Sequence, residues 1–261
     1  MQSSLSNTKL KNYLDSIKIK KGDKILLSSD ILRILVNLKK EKNSLDPNTI
    51  IDTLIEKIGK EGTLLVPMYN WDFCEGLDFH YRKTKSRVGS LGNICIKRTD
   101  FKRSKNPIYS FAVFGKDQKK ICELQHKSCF GLDSPFGYLI KNKGKNVFIG
   151  IDYKKAFSFA HVAEEAAGVE YRYFKNFKGV YIDSVENKKI ETYKMYVRKT
   201  DLVKSTLIRD SFDNILIKNN AYIKSFFNKI YFSSVDIYNT HHIMVEDIKK
   251  NRHFVYPEWY E

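Results

Sequence analysis

The chain is 261 residues long and 42% hydrophobic, enough to bury a full core, and one domain spanning residues 1–261 is expected. Its net charge of +16 favours anionic, phosphate-bearing partners, although the basic residues lie in short clusters (18–21, 102–103, 141–145) and form no long arm. The apolar stretch 31–38 is broken by Arg33 and Asn37, and residues 1–7 lack the basic-then-apolar order of a secretory signal, so membrane insertion is excluded and a cytoplasmic location is expected.

In chain order, residues 8–17 read as a first helix, followed by the short apolar strand 24–27 behind the turn residues Gly22 and Asp23. That strand runs into Ser28, Ser29 and Asp30, three good N-cap residues, and then into the amphipathic segment 31–38. The free N–H groups of such a helix start, with hydroxyls beside them, suit a phosphate, although plain capping explains the tripeptide equally well. Asp46 and Pro47 open a helix to Ile58, and 63–66 form a strand stopped by Pro67. The polar, aromatic residues 68–73 then form a loop at a strand end, where ligand sites tend to form in α/β proteins. Residues 79–103 lack clear periodicity and read as a long excursion over the site.

A strand at 108–114, a helix at 117–125, a helix opened by Asp133, Ser134 and Pro135, and a strand at 146–151 complete an alternation of strands and helices. Residues 171–196 hold β-prone runs around a turn near Glu186 and Asn187, so antiparallel strands are expected to join the sheet, and 239–250 closes the chain as a helix. The fold expected is a layered αβα domain with a mixed central sheet and an antiparallel C-terminal portion. Cys74, Cys95, Cys122 and Cys129 show no Cys-x-x-Cys pair and no histidine at zinc-finger spacing, so neither a metal site nor a disulfide framework is expected. Cys129 has no base in the sequence to make it a nucleophile.

The most informative stretch is the Ala-rich run around His161, helix-prone, with Glu164 and Glu165 three and four residues on. Either carboxylate can orient or polarise the imidazole across one helical turn, the minimum equipment of a general base. A structural His–carboxylate pair is the competing reading of the same pattern.

Five segments taken in order resemble the aminoglycoside 3-N-acetyltransferase family, also called the antibiotic N-acetyltransferase family, which includes relatives that acylate nucleotide-linked amino sugars. They are 22–29, 62–73, 103–115, 133–137 and 161–164, with a fainter match at 209–213. The resemblance implies acyl transfer from acyl-coenzyme A to a sugar amine, without a metal. It places His161 as the base, Glu164 at the family's carboxylate position, and Asp133 and Ser134 in a loop near the acceptor. Ser28, Ser29 and Asp30, with Tyr69, Arg103, Ser104 and Ser110, fall on segments expected along coenzyme A. The family usually has His where Leu27 and Asn106 stand here. Residues 87–92 lack the glycine at Ser90 that the other large acetyltransferase superfamily needs.

In this reading His161 takes the amine proton and Glu164 or Asp133 stabilises the imidazolium, while donors near Ser28 face the thioester oxygen. The acyl group is acetyl or a short 3-hydroxyacyl. The basic balance points to a nucleotide-linked amino sugar as acceptor, serving surface polysaccharide synthesis, with an aminoglycoside and antibiotic resistance as the alternative. Basic residues mixed with aromatics at 171–178 and 222–231 would also suit an RNA- or single-stranded-DNA-binding module, but their periodicity reads as core packing. Nucleic acid is therefore not the expected partner, and a homodimer is left open.

Overall fold

The computed structural model describes residues 3–4, 7–40, 43–202, 208–227, 230–252 and 255; Asn228 and Lys229 of the second basic aromatic run, and most of the first seven residues, lie outside them. The chain begins with β1 (Ser3–Ser4), α1 (Asn7–Ser16), β2 (Lys24–Ser29), α2 (Ile31–Lys40), β3 (Asn43–Ser44), α3 (Pro47–Ile58) and β4 (Thr63–Tyr69). After a 3-10 turn at Asp72–Glu75 come β5 (Phe79–His80), α4 (Leu91–Cys95), β6 (Lys102–Arg103), β7 (Tyr109–Gly115), α5 (Gln118–Glu123), α6 (Pro135–Lys141) and β8 (Lys145–Ile149). The last third holds α7 (Tyr153–Ala156), α8 (Ala160–Ala167), β9 (Arg172–Ile182), β10 (Lys188–Arg198), α9 (Phe212–Lys218), β11 (Tyr222–Phe227), β12 (Ile230–Asp236) and α10 (Ile237–Lys249).

A seven-stranded sheet of order β11-β12-β8-β2-β4-β7-β6 forms the centre, with β8, β2 and β4 parallel and the other neighbours antiparallel. The near-continuous apolar runs of β2 and β4 follow from their position, since central strands are covered on both faces. One face packs on α1, α2, α3 and α4 through Leu14, Ile34, Leu54 and Leu91; the other packs on α6, α8 and α10 through Leu139, Ala163 and Met244. The expected layered α/β architecture is present. Asp46 with Pro47, and Ser134 with Pro135, cap α3 and α6 as their sequences imply, each cap side chain accepting from a backbone N–H two residues on.

Two expectations are corrected. Pro67 does not stop its strand, because β2 pairs β4 only as far as Leu65 while β7 continues to pair it to Tyr69. The Pro67 carbonyl is turned toward Gly92 of α4, so its missing N–H falls on the side where the ladder has ended. The β9–β10 hairpin does not join the central sheet; it forms a separate three-stranded sheet with β5, which lies parallel to β9. The antiparallel strands that do extend the central sheet are β11 and β12. No helix among the described residues is long and apolar enough to cross a membrane.

The C-terminal ends of β2, β4 and β8 converge where the chain leaves for α2, the turn at Asp72 and α7. Gly150, just past β8, has φ 77°, and a Cβ there would stand 2.8 Å from the Asp30 carbonyl oxygen. Only glycine lets the start of α2 sit this close to the end of β8.

Candidate active site

α8 is a short Ala-rich helix ended by Gly168, whose N–H returns to the carbonyls of Glu164 and Glu165. His161 Nδ1 lies 2.7 Å from Glu164 Oε2, one turn along the helix. An ionised carboxylate can only accept, so the proton of this bond sits on Nδ1, which in the neutral ring leaves the lone pair on Nε2. The His161 side chain is 29% exposed and Glu164 fully buried. The Phe130 ring packs against the imidazole with 5.1 Å between centroids.

After Gly168 the chain reverses and brings two more groups onto the same carboxylate. The Tyr171 hydroxyl donates to Glu164 Oε1 at 2.9 Å, and Arg172 Nε stands 2.9 Å from Oε2 as an ion pair without the alignment of a hydrogen bond. Burial pushes the Glu164 carboxyl up, but the hydrogen bond to His161, the Arg172 charge and the Tyr171 hydroxyl act the other way, and the net shift is downward. Glu164 is therefore held as an anion. From the sequence, Arg172 is seen only as one of the basic residues of the aromatic run 171–178, and not as a partner of Glu164.

A second carboxylate faces another way. Glu165 is held at 2.9 Å by the Ser128 hydroxyl, and burial together with the neighbouring Asp133 pushes its carboxyl up against the pull of Ser128 and Lys194. A Cβ on Gly131 would lie 2.5 Å from Asp133 Oδ1 and 3.5 Å from Glu165 Oε1, so these oxygens flank one small space. The same loop carries Phe130 and is tied to β10 through the Cys129 N–H and the Lys194 carbonyl. Asp133 is exposed and lies beside Glu165, not on the ring nitrogen that Glu164 occupies.

The residues expected along coenzyme A divide into two groups. Ser28, Ser29 and Asp30 stand at the open end of β2: Ser28 Oγ accepts from Asn146 Nδ2 at 3.1 Å, and Asp30 Oδ1 caps α2 through the Arg33 N–H at 3.0 Å. Tyr69 is buried at the end of β4, and its hydroxyl meets the Ser158 side chain just before α8. Arg103, Ser104 and Ser110 are placed otherwise. Arg103 is 1% exposed, bonded to Ser110 Oγ and to the carbonyls of Tyr81, Thr84 and Met68, and stacked on Phe79 at 4.7 Å. Ser104 accepts from the Phe111 N–H and Ser110 donates to Met68, both fully within the core. These three tie β6, β7 and β4 together and have no surface to offer a coenzyme. Arg103→Met is expected to lower stability by about 2–4 kcal/mol in a urea titration, because several buried carbonyls lose their donor. Coenzyme affinity lost with stability intact would return Arg103 to the site.

A cavity of about 350 Å³ adjoins the first turn of α2 and the chain just past β8, lined by Arg33, Gly150, Lys154, Lys155, Asp213 and Lys224 among others. It lies away from His161. Lys154 is already paired with Asp210 and Asp213 at 3.1 Å each, which leaves Arg33, Lys155 and Lys224 as its less engaged cations. No cluster of three or more candidate metal ligands occurs among the described residues.

The sequence model described as aminoglycoside 3-N-acetyltransferase matches residues 39–221. The chain belongs to this family. Among curated proteins it is 27% identical to the SPbeta prophage-derived aminoglycoside N(3')-acetyltransferase-like protein YokD of Bacillus subtilis (strain 168), over 44% of this chain and 50% of that relative. The match thus spans half the length of the relative. The fold is similar to the crystal structure of aminoglycoside acetyltransferase AAC(3)-Xa, with TM-score 0.78 and 16% identity over 95% of this chain and 93% of that one. It is equally similar to AAC-IIIb in binary complex with CoASH, with TM-score 0.78 and 18% identity over 98% and 100% of the two chains. At these identities the likeness is one of fold.

Membership of the aminoglycoside 3-N-acetyltransferase family changes the acceptor preference drawn from charge. The comparisons favour an aminoglycoside and give no support to a nucleotide-linked sugar. The physical reason is that net charge does not report the local field: Glu164 is bonded to His161, and Glu165 and Asp133 lie beside one another in the same part of the fold, in a chain of net charge +16. The two departures from the family pattern are also not acceptor contacts. Leu27 is buried on the sheet face opposite His161, and Asn106 is buried where its Oδ1 accepts from the N–H groups of Ile108 and Tyr109.

Proposed function

We propose that this chain transfers an acetyl group from acetyl-coenzyme A to an amine of an aminoglycoside, with His161 as general base. The observation that carries the reading is a partly exposed imidazole whose Nδ1 is held by a buried carboxylate and which packs on Phe130, next to the Gly131 loop where Glu165 and Asp133 flank one small space. A polycationic acceptor is attracted there, while its neutral amine reaches Nε2.

As the amine nitrogen attacks the thioester carbonyl, a C–N bond forms and His161 Nε2 takes the proton. The C–S bond then breaks, and the proton passes from the imidazolium to the departing thiolate. Glu164 stabilises the imidazolium during its lifetime. Ser28 accepts from Asn146, which leaves its own O–H for the oxyanion, and Ser29 stands beside it at the strand end. We assign the coenzyme to the open ends of β2 and β8, with Arg33, Lys155 and Lys224 supplying charge for its phosphates. Cys129 takes no part, since it is fully buried and burial raises its thiol well above the ordinary value.

The test is thiol release from acetyl- and 3-hydroxybutyryl-coenzyme A with gentamicin-type aminoglycosides, the parent amino sugars and dTDP- or UDP-amino sugars under one set of conditions. Acetylation of an aminoglycoside is expected, and Glu165→Gln is expected to raise its KM about tenfold, the size of one lost charge-assisted bond. Turnover of a nucleotide-linked sugar with none of any aminoglycoside would overturn the assignment.

A further inference from the structure

We propose that Arg172 is a positioning residue, whose guanidinium balances the buried Glu164 carboxylate so that His161 rests neutral, protonated on Nδ1 and open at Nε2. Glu164 has no exposed surface, and an isolated carboxylate there costs several kcal/mol unless a cation answers it. Two groups can answer: the imidazole, by becoming imidazolium, or Arg172. Were the imidazole to do so, the base would be occupied before any substrate arrived.

The geometry assigns the task to Arg172. Its Nε stands 2.9 Å from Glu164 Oε2, its Nη1 is anchored on the Tyr196 carbonyl at 3.1 Å, and its Nη2 reaches to 3.2 Å from His161 Nδ1. With the proton on Nδ1, both groups at that last contact are donors, so in this tautomer the contact places a permanent cation against the ring and opposes a second positive charge. At rest the cluster holds one anion and one cation. After proton transfer it holds one excess positive charge in a largely buried setting, which favours passing the proton onward. The Tyr171 phenol steadies Oε1 without supplying charge, because burial and the Glu164 carboxylate keep it protonated. The other titratable groups around the cluster are Tyr109 of β7, Glu165 of α8, Asp133 ahead of α6, and Lys194 and Tyr196 of β10.

The experiment follows the His161 ring signal by NMR in histidine-labelled, substrate-free protein, assigned by its loss in His161→Asn. Arg172→Met is expected to titrate about one pH unit higher than wild type, a tenfold gain in proton affinity from removing the adjacent cation. Glu164→Gln is expected to titrate lower, and Glu164→Gln/Arg172→Met to return toward wild type. The double variant removes both charges together, so it strands neither in the interior. A folded Arg172→Met that titrates with wild type overturns the proposal, as does coincidence of the Glu164→Gln and double-variant titrations should Arg172→Met not fold. An arginine that served only to brace β9 would change stability and leave these titrations in place. The kinetic consequence rests on His161 being the base: the acidic limb of kcat/KM moves to higher pH in Arg172→Met. A shifted titration with an unshifted limb supports the charge balance and counts against His161 as base, so the two readings fail separately.

Discussion

Replacing His161 with asparagine is expected to lower kcat by about 10²–10⁴-fold, the range for loss of a general base, while coenzyme binding stays near wild type. The asymmetry follows from the site. The imidazole bonds to Glu164 and packs on Phe130, whereas the proposed coenzyme residues lie at the ends of β2 and β8. Asparagine keeps a donor for Glu164 and removes the Nε2 acceptor, so the buried network is disturbed little. Single-turnover acetylation and thermal protection by coenzyme A separate the two effects. Unchanged turnover in a well-folded variant would remove His161 from the chemistry.

The second large effect is on stability. Glu164→Ala is expected to destabilise the fold by about 3–5 kcal/mol, because it leaves the buried Arg172 guanidinium without its counter-charge and empties a packed site. Equilibrium unfolding in urea measures it, and a loss below about 1 kcal/mol would show that solvent or another group answers Arg172. A pH dependence accompanies this. The folded-state pKa of Glu164 lies below its ordinary value of 4.5, so its ionisation stabilises the fold fully at neutral pH. That contribution is lost as pH falls below the unfolded value and through the depressed folded one. The same unfolding experiment repeated from pH 7 down to pH 3 should show it, with a flatter acid limb in Glu164→Gln.

The strands and the His161–Glu164 pair were legible because their signals are local: unbroken apolar runs for β2, β4, β7 and β8, and an i, i+3 spacing for the pair. What was missed depends on contacts distant in sequence. Phe79 pairs with Tyr181, so nothing near either residue reveals that the hairpin builds its own sheet. Arg172 reaches Glu164 across a chain reversal at Gly168, a relation with no fixed spacing. Arg103 is placed along coenzyme A by the resemblance of its segment, and the burial of its guanidinium among carbonyls is not written in that pattern. Pro67 reads as a strand breaker because it lacks an N–H, and the sequence does not show that β2 has already stopped pairing β4 at Leu65.

The three-stranded sheet and the central one divide the site in a way that bears on how such a protein can change. Tyr171 and Arg172 stand at the root of the β9–β10 hairpin, while Tyr173, Phe174, Val185 and Ile190 farther along it are exposed. Ser28 and Tyr69 belong to the central sheet. Substitutions at these exposed hairpin positions are therefore expected to leave the His161–Glu164–Arg172 contacts and the strand ends proposed for the coenzyme unaltered. Sequence drift would collect in the hairpin beyond Arg172, and the proton-handling residues at its root would stay fixed beneath it.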